Sequence, residues 1–356
     1  MKLGIIGLPQ SGKTTIFNAL TRGSQPVGDA VGRMEIHTAV VDVPDPRLER
    51  LNEIYHRNKK VHAKVTCLDI AGLGALQEHA EISGPLLNQL AQMDGFIQVV
   101  RVFENPSVPH MHGSVDPARD IRLMEEEFLL NDQIKVERKL EKLQEEGAKG
   151  GGRDKTVVQR EIALFNRLQQ VLVEGTLLRD IEMSAEEESI ISSFGFLSRK
   201  PVLIVLNLGE DQKTQPLDIH HEKTRVMDIR GKLEMEIAQL PPEDARMFME
   251  EYDIEELALD RIIQESYGLL GLQSFFTIGE DEVRAWTVRR GALATEAAGV
   301  VHTDMEKGFI KAEVIPYQDF IEAGSMAEAR ARGKLRLEGK QYKVQDGDIL
   351  TIRFNL

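Results

Sequence analysis

The chain has 356 residues, 42% of them hydrophobic, a formal net charge of −14 and a single cysteine, Cys67. At roughly 100–200 residues per domain this predicts two or three domains. No apolar run approaches the ~18 residues of a membrane span, one thiol excludes an internal disulfide and a cysteine-based zinc site, and the acidity excludes a general nucleic-acid binder, whose nonspecific affinity rests on a basic surface.

The apolar residues after Lys2 are too few for a signal peptide. A cytoplasmic protein is therefore expected, with no membrane and no DNA partner. Cys67 lies in an apolar run and is expected to be a buried core thiol.

Taken in chain order, Lys2–Gly7 reads as a strand and Thr14–Thr21 as a helix. Ala39–Val43, Val65–Ile70 and Phe96–Val102 read as further strands, with helical spacing between them, as in Pro46–Tyr55. Such alternation predicts βα units and a mainly parallel sheet. From residue 119 the texture changes to Glu, Lys, Leu and Arg. Ile121, Met124, Phe128, Leu129, Ile134 and Val136 recur near helical spacing. The run Gly147 to Gly152 interrupts the pattern, and a second helical stretch covers Val157 to Gly175. A long antiparallel helical hairpin is predicted. Pro201–Asn207 returns to a compact apolar strand, and helical stretches follow to Leu272, so the arm is inserted into the α/β domain. From Ser274 short β-like runs appear at Phe275–Ile278, Phe309–Val314, Gln341–Val344 and Ile349–Phe354, which fits a small α+β module. The expected division is 1–118 plus 199–273 for a nucleotide-binding domain, 119–198 for the arm and 274–356 for the last module.

Three motifs carry chemistry. Gly7-Leu8-Pro9-Gln10-Ser11-Gly12-Lys13-Thr14 fits the phosphate-binding pattern G-x-x-x-x-G-K-[ST]. Its glycines let backbone N–H groups turn inward onto phosphate oxygens, and the following helix aims its positive end at the same anion. Lys13 can reach the β- and γ-phosphates, and the Thr14 hydroxyl can ligate Mg²⁺. In Leu68-Asp69-Ile70-Ala71-Gly72, an acid at a strand end can serve the same Mg²⁺, and Gly72 lets a backbone N–H approach the γ-phosphate. Lys13 and Gly72 are the candidate catalytic residues. Leu73 stands where many GTPases place a glutamine that orients the attacking water, and Leu cannot do so. Asn207-Leu208-Gly209-Glu210 follows a strand, at the place of the guanine-reading N-K-x-D. Glu for Asp and Leu for Lys relax guanine selection and leave room for adenine.

The segment Arg330–Lys343 carries Arg330, Arg332, Lys334, Arg336, Lys340 and Lys343 against Glu338. It is either an RNA-facing stripe or a solvated face. The pairs His110/His112 and His220/His221 lack metal spacing, and metal binding there is not expected.

In this order of motifs the sequence resembles the YchF / Obg-like ATPase family of Obg-related P-loop proteins. The resemblance runs through Pro44-Asp45-Pro46-Arg47-Leu48, Val99-Val100-Arg101-Val102-Phe103-Glu104-Asn105 and Glu282-Val283-Arg284-Ala285-Trp286-Thr287. It continues to Ala297-Ala298-Gly299, His302-Thr303-Asp304, Glu306-Lys307-Gly308-Phe309-Ile310 and Asp346-Gly347-Asp348. It implies an α/β P-loop NTPase (G domain) with an inserted α-helical coiled-coil arm and a small α+β, TGS-like β-grasp C-terminal domain.

Carried over residue by residue, Gln10–Thr15, Thr15 included, form the phosphate loop. Thr14 and Asp69 serve Mg²⁺, and Asn207, Leu208 and Glu210 approach the base. Gly231 is counted as a further candidate nucleotide contact. The sequence departs from the family pattern at Gln10-Ser11, where Asn-Val is usual, at Arg33 in the first switch, and at Gly74–Ala80 in the second.

The resemblance implies binding of ATP and/or GTP with Mg²⁺ and a slow Mg²⁺-dependent ATPase acting as a ribosome-linked regulatory switch. Contact with the ribosome or RNA through the C-terminal domain belongs to the same expectation. The alternatives are a GTPase of the same fold and a nearly non-hydrolysing, nucleotide-dependent ribosome or RNA interaction protein.

Overall fold

Continuous apolar runs make strands that are covered on both faces, and the first half of the chain is built from them. The computed structural model describes all residues except 22, 24–35, 71–83, 150–152, 213–216, 218, 220, 222, 253, 255 and 356. Strands β1 (Lys2–Ile6), β2 (Ile36–Asp42), β3 (Lys59–Val61), β4 (Lys64–Ile70), β5 (Gly95–Arg101), β6 (Val202–Asn207) and β7 (Thr224–Ile229) occur in that order. All but β3 form one six-stranded sheet, ordered β2-β4-β1-β5-β6-β7. Pairing is parallel for β1 with β4 and β5, for β5 with β6 and for β6 with β7. β5 and β6 are buried at every position. Ile6, Ile70, Val100, Ile204 and Leu206 pack with Leu86 and Leu90 of helix α3 (Gly84–Ala91).

Helix α4 (Pro117–Lys149) and helix α5 (Lys155–Val173) form the expected hairpin arm. They are not merely a solvated pair. Val136, Leu140 and Leu143 of α4 pack against Val158, Leu164, Phe165, Leu168 and Leu172 of α5. The root of the arm is anchored by Asp132, whose carboxylate accepts from Leu197 N at 3.0 Å, Ser198 N at 2.7 Å and Ser198 Oγ at 2.7 Å. Burial raises its carboxyl to about 6, and these hydrogen bonds oppose the rise.

The chain divides into two compact units, residues 1–39 with 66–262, and residues 40–65 with 263–356. The arm groups with the first unit, and residues 263–273 with the second. The segment 40–65, expected in the nucleotide-binding domain, packs with the C-terminal residues. Its helix α2 (Pro46–Tyr55) shows why. Arg47 donates to Asp45 at 2.9 Å and to Asp346 at 2.8 Å, and its guanidinium lies 5.3 Å from the Phe276 ring centroid. These contacts join residues 299 positions apart, which no local pattern encodes.

The second unit holds β8 (Leu272–Ile278), β9 (Glu282–Arg289), β10 (Phe309–Pro316), β11 (Arg336–Glu338) and β12 (Asp348–Phe354). With β3 they form a sheet ordered β11-β10-β12-β8-β9-β3. Four strands escaped the sequence reading, β3, β7, β9 and β11. β3, β7 and β11 are edge strands with largely polar, partly exposed patterns, and β9 alternates charged or polar residues with buried Val283, Ala285 and Val288. Gln341–Val344, expected as a strand, contributes only an isolated bridge from Lys343 to Leu293.

Candidate functional site

The phosphate-loop motif occupies the turn between β1 and helix α1 (Lys13–Thr21), as a strand–loop–helix anion site requires. Gly7 has φ +149° and Gly12 has φ +96°. A Cβ on Gly7 would strike the Val99 carbonyl oxygen, and one on Gly12 would strike Asn207 Nδ2. Both positions therefore require glycine. Gln10 also sits at positive φ, +60°. The Lys13 ammonium donates to Gly7 O at 2.9 Å and Leu8 O at 2.8 Å. Burial pulls it down to about 8, with Asp69 partly offsetting this, so it carries its charge at neutral pH.

Thr14 Oγ1 donates to Asp69 Oδ2 at 2.9 Å, bringing together two residues from the helix start and the end of β4. Asp69 is buried, and its Oδ1 has no hydrogen-bond partner among the described residues. Burial raises its carboxyl above the usual range, while Thr14, Lys13 and His37 oppose this. A hydroxyl, a carboxylate and an orphaned buried oxygen are hard donors beside a phosphate cradle. They fit Mg²⁺, which is commonly held by one or two protein oxygens plus phosphates and waters.

The third group is tied to the first two. Asn207 ends β6 and is buried. Its Nδ2 donates to Ser11 O at 3.0 Å, and its Oδ1 accepts from Gly231 N at 3.1 Å. One side chain thus joins the phosphate loop, the loop after β6 and the start of helix α7 (Gly231–Ala238). Leu208 is buried and its N–H donates to Ile229 O at 2.8 Å. Glu210 is half exposed and lies 3.1 Å from the Lys232 ammonium.

Known proteins carry the same architecture. The family YchF-GTPase_C, described as "Protein of unknown function (DUF933)", matches residues 272–355. Over their full lengths, the "Ribosome-binding ATPase YchF" of Bacillus subtilis is 36% identical, covering 99% of both chains. That of Haemophilus influenzae is 40% identical, covering 100% of this chain and 99% of its own. The chain belongs to the YchF family. "Obg-like ATPase 1" of Gallus gallus is 35% identical over 100% of this chain and 92% of its own. The solved "Structure of the Schizosaccharomyces pombe YchF GTPase" superposes with a TM-score of 0.87 at 32% identity, covering 99% of this chain and 97% of that one.

Within this YchF chain, the structure brings Gly7, Ser11, Gly12, Lys13, Thr14, Asp69, Asn207 and Gly231 into one connected cluster. Pro9 and Thr15 are half-buried and Gln10 is exposed on the same loop. Gly72, Leu73, Arg33 and the second-switch run Gly74–Ala80 lie outside the described residues, as does His220. Cys67 is fully buried, and burial pushes its thiol up to about 12.

Two features were missed in the sequence. One is Lys232, whose relation to Glu210 depends on how two loops meet. The other is a small pocket beside the phosphate loop, where the polar side chains of Ser11, Gln98, Arg101, His110 and Asp120 meet Leu8, Val99 and Val100. His110 Nε2 lies 2.9 Å from Asp120 Oδ2, and Arg101 donates to Phe103 O at 3.1 Å and Val108 O at 2.6 Å. The signal available was the spacing of His110 to Asp120, two polar residues at the foot of the arm.

Proposed function

We propose that the chain binds ATP or GTP in the Gly7–Thr15 loop, hydrolyses it slowly with Mg²⁺, and acts as a nucleotide-dependent partner of the ribosome. The observation that carries this is the Lys13, Thr14 and Asp69 cluster on a glycine loop whose backbone is pinned by Asn207. Thr14 and Asp69 would hold Mg²⁺, which supplies positive charge against the phosphate oxygens. Lys13 binds and orients the β- and γ-phosphates, and the N–H groups at the start of α1 hold the remaining oxygens. Gly72 would bring its N–H to the γ-phosphate. Residue 73 is leucine, which cannot orient water, so another group positions the water or turnover is slow.

Relatives named ribosome-binding ATPase support the ribosome as partner, and one named GTPase keeps both nucleotides in play. RNA contact through the Arg330–Lys343 stripe has less charge to draw on than the sequence suggests. Arg330 pairs with Glu313, Arg332 with Glu328, Lys334 with Asp319 and Arg336 with Glu338. Lys340 and Lys343 are exposed and remain for phosphate contact.

The test is a parallel titration with ATP and GTP in Mg²⁺, followed by phosphate release with and without purified ribosomes. Binding lost in Lys13→Ala and slow release that ribosomes alter are expected. Tight binding that survives Lys13→Ala refutes the assigned site, and release untouched by ribosomes removes the partner.

A further inference from the structure

The loop after β6 is held against the start of α7 by three contacts in register. Leu208 N donates to Ile229 O at 2.8 Å, Gly231 N donates to Asn207 Oδ1 at 3.1 Å, and Lys232 Nζ donates to Glu210 Oε1 at 3.1 Å. The loop is closed from its other side by Gly209 N donating to Gln212 Oε1 at 2.8 Å. The backbone leading into Glu210 is therefore held on both sides. Lys232 lies in the first turn of α7, where the helix dipole disfavours a cation. Its acidic neighbours, Glu210 and Glu236, offset that cost.

We infer that Lys232 is a specificity-determining residue, whose bond to one oxygen of Glu210 biases the base loop away from guanine and toward adenine. This rests on the nucleotide site proposed above. A carboxylate is an acceptor only, with two oxygens side by side. Guanine presents two adjacent donors, N1–H and N2–H, and satisfies both oxygens at once. Adenine in the same pose turns its N1, an acceptor, toward that carboxylate and keeps its exocyclic amine on the far side of N1. Lys232 donates to Oε1, leaving Oε2 as the more available acceptor. The two-donor fit to guanine is weakened, while the Lys232 ammonium lowers the repulsion between the carboxylate and the adenine N1. Specificity is a difference of two affinities, and the effect acts on both sides of that difference.

The experiment measures ATP and GTP dissociation constants in parallel, with Mg²⁺, for the full chain and for Lys232→Ala, Lys232→Gln and Lys232→Arg. Lys232 is largely exposed, so each variant is expected to fold, which circular dichroism checks. Freeing both oxygens restores a bidentate contact, and such contacts discriminate by about fivefold or more. The ATP-to-GTP preference of the Ala variant is expected to move toward GTP by that factor, and that of the Gln variant, whose amide can still donate to Oε1, by less. Lys232→Arg keeps a cation on the carboxylate and is expected to keep the original bias. Salt screens an exposed pair, so added salt moves the ratio of the full chain toward GTP and leaves that of Lys232→Ala in place. A ratio that stays fixed in Lys232→Ala, or moves toward ATP, overturns the inference while leaving the nucleotide site standing. A chain that binds neither nucleotide overturns both.

Discussion

Replacing Asn207 with alanine removes a side chain whose hydrogen bonds join the phosphate loop to α7. Two buried backbone groups lose their partners, the Ser11 carbonyl and the Gly231 N–H. A stranded buried polar group costs about 1–3 kcal/mol, so a loss of about 3 kcal/mol is expected for the pair. In a unit of this size each kcal/mol lowers the melting temperature by about 2–4 °C, giving a fall of about 10 °C. Asn207→Asp is the sharper probe. It can still accept from Gly231 N, but its second oxygen faces the Ser11 carbonyl oxygen, acceptor against acceptor, in a buried place. It is expected to be at least as unstable as the alanine variant despite its near-identical shape. The assays are thermal unfolding by circular dichroism and parallel ATP and GTP titrations. Both ends of the Asn207 amide are engaged by protein, so both affinities should weaken by the same factor. A melting temperature that does not move, an aspartate variant as stable as the original, or a changed ATP-to-GTP ratio would refute this view of Asn207 as a brace.

Glu234 is buried and accepts from Leu259 N at 3.1 Å; burial raises its carboxyl to about 7, with backbone hydrogen bonds from Leu259 and Ala258 opposing the rise. Its folded value lies above the ordinary carboxylate value, so its contribution to stability is fully present below about 4.5 and lost as pH rises through 7. Glu234→Gln is expected to flatten the pH dependence of the melting temperature between these limits, with a gain over the original on the order of 2 kcal/mol at pH 8; an unchanged slope counts against this assignment. In the second unit, Arg47→Lys keeps the charge but not the fork that bonds Asp45 and Asp346 together. A loss of about 1–2 kcal/mol is expected in urea unfolding, and a double variant with Asp346→Ala should cost less than the sum of the two single changes. Strict additivity would show that the two residues do not act through each other.

Local chemistry was enough to place much of the candidate site. The strand Leu3–Ile6, the glycine loop and the helix opening at Lys13 are contiguous, and their geometry follows from residues a few positions apart. β5 and β6 were legible for the same reason, since a doubly buried strand is mostly apolar. The inserted arm was legible from its helical spacing and the glycine run that turns it, and the order of motifs led to the family before any contact was known.

Tertiary structure decided the rest, wherever the cause lies far along the chain. Edge strands β7 and β11 need only a half-covered face, so their sequences carry little apolar signal. The grouping of 40–65 with the C-terminal unit rests on the pairing of β3 with β9 and on the Arg47 contact with Asp346, neither of which composition encodes. The role of Asn207 as a brace, and the pairing of Glu210 with Lys232, exist only because the loop after β6 meets the start of α7. Sequence determines which chemical groups are available; the fold decides which of them touch, as it does for the Glu210 carboxylate and the Lys232 ammonium.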